Sequence, residues 1–196
     1  MAPDLPIETD RLTLRSFTAA DLDDLALFYG LPEAQRYLEY PSRDRNDVKS
    51  ALDIMCQQKR LTRPGDRLCL AVARKGDARL MGKVSLIWTD ATASQAELRF
   101  LFDPAFRRQN YTPEALAKML DLAFETFGFH RVFVRSGAKS QASIRVLKDI
   151  GFRLEAHYRE HALFQGEWDE ELHFAILDRE WLRGSKVKEL HRHMVA

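Results

Sequence analysis

Residues 96–127 read AELRFLFDPAFRRQNYTPEALAKMLDLAFETF. An alternating segment runs into a polar, basic loop and then into a helical stripe. In Ala96–Phe102, Ala96, Leu98, Phe100 and Phe102 share one face of a strand, and Glu97, Arg99 and Leu101 share the other. Thr112 can cap a helix, Pro113 suits its first turn, and Leu116, Met119, Leu120, Ala123 and Phe127 recur at helical spacing. A helix is therefore expected over Thr112–Phe127, with Gly128 ending it. The junction Asp103–Glu114 places a helix N-terminus, with its unpaired N–H groups and positive dipole end, beside Arg107 and Arg108. That combination favours phosphate, although a basic strand-to-helix loop alone is more often a solvated turn.

Working outward toward the N-terminus, Leu68–Ala73 and Leu80–Trp88 flank the turn Lys75-Gly76-Asp77 and read as a hairpin. Arg11–Phe17 alternates as a strand. Thr18 and Asp21 then have capping-box spacing before Leu22, Leu25 and Phe28. Further helices are expected at Pro32–Tyr40 and Asn46–Lys59. Toward the C-terminus, Arg131–Arg135 reads as a strand. Ser140 or Ala142 opens a helix carrying Ile144, Leu147 and Ile150, and Gly151 closes it. Two late strands are expected near Phe152–Arg159 and Glu171–Leu177. Strand and helix alternating after a meander imply an α/β (α+β) chain, a mixed sheet with helices on both faces.

Composition bounds the function. At 196 residues the chain fits one domain, expected over residues 6–182, with a basic tail over 183–196. Thirty basic and twenty-nine acidic residues leave no global charge to argue for nucleic-acid or membrane partners. No window approaches a membrane span, and Met1–Pro6 has neither the basic stretch nor the apolar run of a signal peptide. Cys56 and Cys69 make no CxxC pair, and the histidines show no ligand spacing, so no metal site and a reduced, cytoplasmic setting are expected.

Several further segments join the junction: ETDRLTLR at Glu8–Arg15, PEAQRYL at Pro32–Leu38, PEAL at Pro113–Leu116, FHRVFV at Phe129–Val134, ASIRVLKDIGF at Ala142–Phe152, and GEWDEELHFAIL at Gly166–Leu177. With AELRFLFDPAFR, their order and spacing resemble the GNAT acetyltransferase superfamily, in the branch that includes ribosomal-protein N-terminal acetyltransferases. The resemblance runs from Glu8 to Trp181. It implies a mostly antiparallel sheet of about seven strands, splayed at its centre, with acetyl-CoA as co-substrate. It also implies an amine acceptor, either a protein N-terminus or a small molecule, and a homodimer is compatible with it.

By that resemblance, the pantetheine arm of the cofactor would run along Phe100, Leu101 and Phe102. Its pyrophosphate would meet Arg107, Arg108, Gln109, Asn110, Tyr111 and Thr112. The chain departs from the family pattern in this loop. Asn110 stands where glycine is expected, Thr112 where glycine or alanine is, and Arg108 where glycine is common. Asparagine is the substitute that best tolerates a left-handed turn. Ser140 replaces the usual asparagine before the next helix.

Aminolysis of a thioester needs a neutral amine and a stabilised leaving thiolate. Glu97 is the candidate base, directly or through water; its other reading is a carboxylate paired with Arg99 or with a neighbouring strand. Ser143 is the candidate hydrogen-bond donor to the thiolate, or else serves local backbone groups. Backbone N–H groups along Phe100–Phe102 would polarise the carbonyl. Tyr111 and Tyr158 are alternative acids. Tyr37, Trp88 and Trp168 are candidates to line the acceptor pocket, or to pack in the core. A non-catalytic CoA-binding or protein-interaction module is the rival reading, motivated by the missing loop glycines.

Overall fold

The computed structural model describes residues 2–31, 44–77, 79–106, 109–164 and 166–184. Its strands are β1 (Ile7–Glu8), β2 (Leu12–Ser16), β3 (Arg67–Arg74), β4 (Leu80–Asp90), β5 (Gln95–Phe102), β6 (Arg131–Gly137), β7 (Arg153–Phe164) and β8 (Glu167–Leu177). Among the described residues they follow the order β1-β2-β3-β4-β5-β6-β8-β7 in one sheet, eight strands rather than about seven. The additional strand is β1, whose two residues are too few to show a period of two; it pairs through Ile7 with Leu14. The pairings β1–β2, β2–β3, β3–β4, β6–β8 and β7–β8 are antiparallel. β5 pairs with β6 in parallel over three residue pairs, ending at Glu97 and Phe133.

The chain divides into two compact units, Met1–Trp88 with Leu98–Met119, and Thr89–Glu97 with Leu120–Ala196. In the first unit, Thr18 and Asp21 form the expected capping box, and Arg15 adds a fork onto the Asp21 carboxylate. A short 3-10 turn then leads into α1 (Leu22–Tyr29). Asp44 caps α2 (Arg45–Gln57) by accepting from Asn46 and Asp47 N–H. The apolar stripes of these helices (Leu25, Phe28, Val48, Leu52, Met55) bury against the β3 face carrying Cys69 and Ala71. Leu68, Leu70 and Val72 on the other β3 face are also fully buried, which is why LCLAVA reads as an unbroken apolar run. The helix expected at Pro32–Tyr40 falls within residues 32–43, outside the described residues.

The long helix differs at both ends from its expectation. α3 spans Tyr111–Asp121, so Thr112 is a helical residue instead of the cap, and Asn110 precedes the helix at φ +57°. Beyond Asp121 the chain widens into a π-turn, with Phe127 N–H bonded to the Leu122 carbonyl, before Gly128 at φ +68° stops it. In the second unit, α4 (Gln141–Ile150) ends on left-handed Gly151, with Phe152 N–H returning to the Leu147 carbonyl. Val132, Val134, Ile144, Leu147, Phe174 and Ile176 are buried in this unit. Residues 178–184 form a last helix, α5, pinned by the Trp181 indole on Asp121 at 2.9 Å. The β7–β8 hairpin is longer than its sequence pattern. Bulges between Leu154 and Ala156 and between Tyr158 and Ala162 break the alternation that would have announced its full length.

Candidate active site

In the first unit, β5 delivers Phe100, Leu101 and Phe102, all partly buried, toward the start of α3. β4 passes very close to them. A Cβ on Gly82 would lie 2.6 Å from the Leu101 carbonyl oxygen and 2.9 Å from the Phe102 ring, so only glycine permits this approach. Asp103 N–H bonds the Met81 carbonyl at 2.9 Å and fixes the end of the strand. Of the loop residues expected to meet pyrophosphate, Arg107 and Arg108 lie outside the described residues. Gln109 and Asn110 are exposed, Thr112 is half-buried, and Tyr111 is buried.

The described part of this loop is held from the far end of the sequence. Arg11, at the entry to β2, directs Nη1 to the Gln109 carbonyl (2.9 Å) and Nη2 to the Asn110 carbonyl (3.1 Å). Its Nε and its backbone N–H both bond Glu114 in the first turn of α3, at 2.7 and 2.8 Å. Thr9 Oγ1 adds a third donor to the same carboxylate at 2.5 Å. The guanidinium also lies 4.7 Å from the centroid of the Tyr111 ring. Burial acts to raise the Glu114 pKa, but the bonds from Thr9 and Arg11 outweigh it and hold the carboxyl below its ordinary value. Sequence reasoning missed Thr9, Arg11 and Glu114 as site residues. Their only signal was that ETDRL and PEAL both belong to the resemblance, and nothing in a linear pattern says that the two segments touch.

The Asn110–Tyr111 turn fits a phosphate group. Both peptides joining Gln109 to Tyr111 are trans, so carbonyls drawn toward Arg11 leave the Asn110 and Tyr111 N–H groups directed away from it. Successive amides around a left-handed residue at a helix start make an anion-binding concavity.

In the second unit, Glu97 is buried, and Arg135 of β6 grips it with Nε on Oε1 at 2.8 Å and Nη2 on Oε2 at 3.2 Å. The bond to Glu97 is the main reason the Arg135 pKa is raised. Of the two sequence readings of Glu97, pairing with a neighbouring strand thus has a named partner, and Arg135 occupies the alternate position of RVFVR on the same face. Ser140 precedes α4 without capping it through its side chain; its hydroxyl instead lies 2.9 Å from Ser143 Oγ. If Ser140 donates in this pair, Ser143 keeps its own O–H for a further acceptor.

The expected pocket residues are dispersed. Tyr37 lies outside the described residues. Trp88 is half-buried on β4, its backbone bonded to Gly65 and Asp66. Trp168 is 59% exposed, opposite equally exposed Leu163 in the β7–β8 hairpin, and is not packed in a core. Tyr158 is exposed too, its ring 4.6 Å from that of His173. Cys69 is buried and its thiol is pushed up chiefly by that burial, a poor setting for a nucleophile. Among the described residues no His/Cys/Asp/Glu group is placed to hold a metal, and no helix is long and apolar enough to cross a membrane.

Residues 11–153 match the family model for the acetyltransferase (GNAT) domain. The chain is 31% identical over 85 residues to the uncharacterized N-acetyltransferase YnaD of Bacillus subtilis, covering 43% of this chain and half of that protein. It is 23% identical to the uncharacterized N-acetyltransferase p20 of Bacillus licheniformis, over 88% of this chain and 96% of the relative. Among solved structures it is similar to a GNAT-family acetyltransferase from Bacillus anthracis, with a TM-score of 0.77 and 21% identity over 90% of this chain and all of that one. It is also similar in fold to spermidine N-acetyltransferase from Vibrio cholerae in complex with CoA and spermine, with a TM-score of 0.75 and 17% identity over 89% and 99% of the two chains.

Proposed function

The chain belongs to the GNAT acetyltransferase family, and from that premise we propose that it acetylates an α-amino group, at a protein N-terminus or on a small molecule. It is an acyltransferase with acetyl-CoA as its co-substrate. Bound acetyl-CoA supplies the activated acyl group. We assign its phosphates to the Arg107–Thr112 loop and its pantetheine arm to Phe100–Phe102. The alternative of a non-catalytic module is not favoured, since the relatives are named N-acetyltransferases and Asn110 adopts the left-handed conformation for which the family uses glycine.

The preference for an α-amino group rests on the Glu97–Arg135 pair. Each Glu97 oxygen already accepts a bond from the guanidinium, so base work falls to the remaining lone pairs, most simply through a water. At pH 7.4 an α-amino group is roughly a quarter neutral, and a lysine amine only about one part in a thousand. The acceptor that asks least of such a carboxylate is the α-amino group. Glu97 is assigned the residual base role and Ser143 the hydrogen bond to the departing thiolate. Ser143 is a donor only, because a thiol near pKa 8.5 leaves readily as an anion.

Thiol release from acetyl-CoA, measured with peptides bearing a free α-amino group, N-blocked lysine peptides and polyamines, tests the proposal. Turnover highest with the α-amino set supports it. Turnover confined to polyamines would replace it with a small-molecule acceptor of that class. Acetyl-CoA binding with no acceptor in any set would restore the module.

A further inference from the structure

We propose that Arg11 is a positioning residue for the cofactor's diphosphate. It acts through the backbone of Gln109 and Asn110 and takes over, in a loop without glycine, the conformational work that glycines do elsewhere in the family. The proposal rests on the assignment of acetyl-CoA to this loop.

Several observations converge on Arg11. Its guanidinium reaches two successive carbonyls, at Gln109 and Asn110, and a planar fork is the one side chain that fits such a pair. Asn110, which bears the second of those carbonyls and precedes the helix, sits at φ +57°, a conformation that costs a non-glycine residue free energy unless its surroundings hold it. Arg11 is itself oriented: Glu114 accepts from its Nε and its backbone N–H, Thr9 also donates to that carboxylate, and the guanidinium carbon lies over the Tyr111 ring. The result is an arginine fixed on both sides. One side is the first turn of α3, and the other is the pair of carbonyls whose trans peptides turn the Asn110 and Tyr111 N–H groups outward. An arginine whose donors are directed to carbonyls and a carboxylate of its own chain is not presented as a direct phosphate ligand. Its effect on an anion comes through the amides it orients.

The test compares two acetyl donors, acetyl-CoA and acetyl-pantetheine, which lacks the diphosphate and nucleotide. Arg11→Met keeps the apolar stem over Tyr111 and removes the fork. Calorimetry is expected to show acetyl-CoA affinity about tenfold weaker, the scale of losing charge-assisted hydrogen bonds. KM for acetyl-CoA should rise in parallel with kcat unchanged, and turnover of acetyl-pantetheine should stay at the wild-type level. Arg11→Lys keeps the charge but loses the rigid planar fork that reaches Glu114 and both carbonyls at once, so it should resemble Arg11→Met and not the wild type. Should Arg11→Met fail to fold, Arg11→Lys carries the test alone. Equal losses with both donors would reduce Arg11 to a general structural role and overturn the proposal, as would wild-type affinity in Arg11→Lys. If the wild-type protein itself fails to bind acetyl-CoA in the calorimeter, the cofactor assignment falls, and that result is separate from anything the variants show.

Discussion

In the first unit Arg11 meets Glu114, and in the second Arg135 meets Glu97. Both pairs join residues distant in sequence, and both are arginine–glutamate contacts near 2.7–2.8 Å at their shortest. They differ in where the guanidinium directs its remaining donors. Arg11 gives only Nε to the carboxylate and its two Nη groups to carbonyls, so the pair sets the path of a loop. Arg135 turns both of its bonds onto Glu97, so that pair neutralises a charge buried on the central strand. Glu114, only partly exposed, is held by three donors and serves as an anchor, whereas both oxygens of buried Glu97 are engaged by one guanidinium. The same two side chains therefore set the path of a loop in one place and pair a buried carboxylate in the other, the one proposed as the base.

The largest expected effect comes from removing the cation of the buried pair. Arg135→Met removes the two guanidinium bonds from the buried Glu97 carboxylate, and urea unfolding should show a loss of about 3 kcal/mol, the lower end for a broken buried ion pair because Arg135 is partly exposed. A loss below about 1 kcal/mol would place this contact with ordinary surface bridges and erase the contrast. Next is Glu97→Gln, which keeps the shape and removes the base. Turnover should fall roughly 10²-fold with acetyl-CoA affinity nearly unchanged. Partial recovery at high pH, larger for an α-amino acceptor than for lysine, would tie the loss to the amine proton. Near-wild-type turnover at pH 7 would leave the pair purely structural. Smallest is the loop itself: Asn110→Val should cost about 1–2 kcal/mol in the same urea experiment, since a β-branched residue resists the left-handed region. Asn110→Gly should be neutral to within a few tenths of that scale.

What the sequence could convey divides along physical lines. The strands Arg11–Phe17 and Ala96–Phe102 and the helix after Asn110 were legible because each has a clean period over at least one full repeat, and Leu68–Ala73 because an unbroken apolar run ends at the Lys75-Gly76-Asp77 turn. β1 was not, having two residues, and the outer part of the β7–β8 hairpin was hidden by bulges that reset the alternation. The helix start was misplaced by one residue because Thr112-Pro113 is a persuasive cap-and-first-turn pair. Asn110, read as a tolerated substitute for glycine, does carry the left-handed turn, but Arg11 holds the carbonyls on either side of it. That support joins residues roughly a hundred positions apart, and no local pattern encodes it. Glu97 stood out because it lies on the central strand, in the AEL segment that resembles the family's; its partner Arg135 could be narrowed only to a neighbouring strand.

The most direct test offers the protein one peptide with two amines, a free α-amino group and a single lysine, together with acetyl-CoA at pH 7.4. Fragmentation mass spectrometry of the product locates the acetyl group. Acetylation at the α-amino group, with the lysine unmodified at early times, is the expected result for an acetyltransferase whose carboxylate is restrained by Arg135. Acetylation first at the lysine would contradict the account, because it would demand a stronger base than the Glu97–Arg135 pair provides.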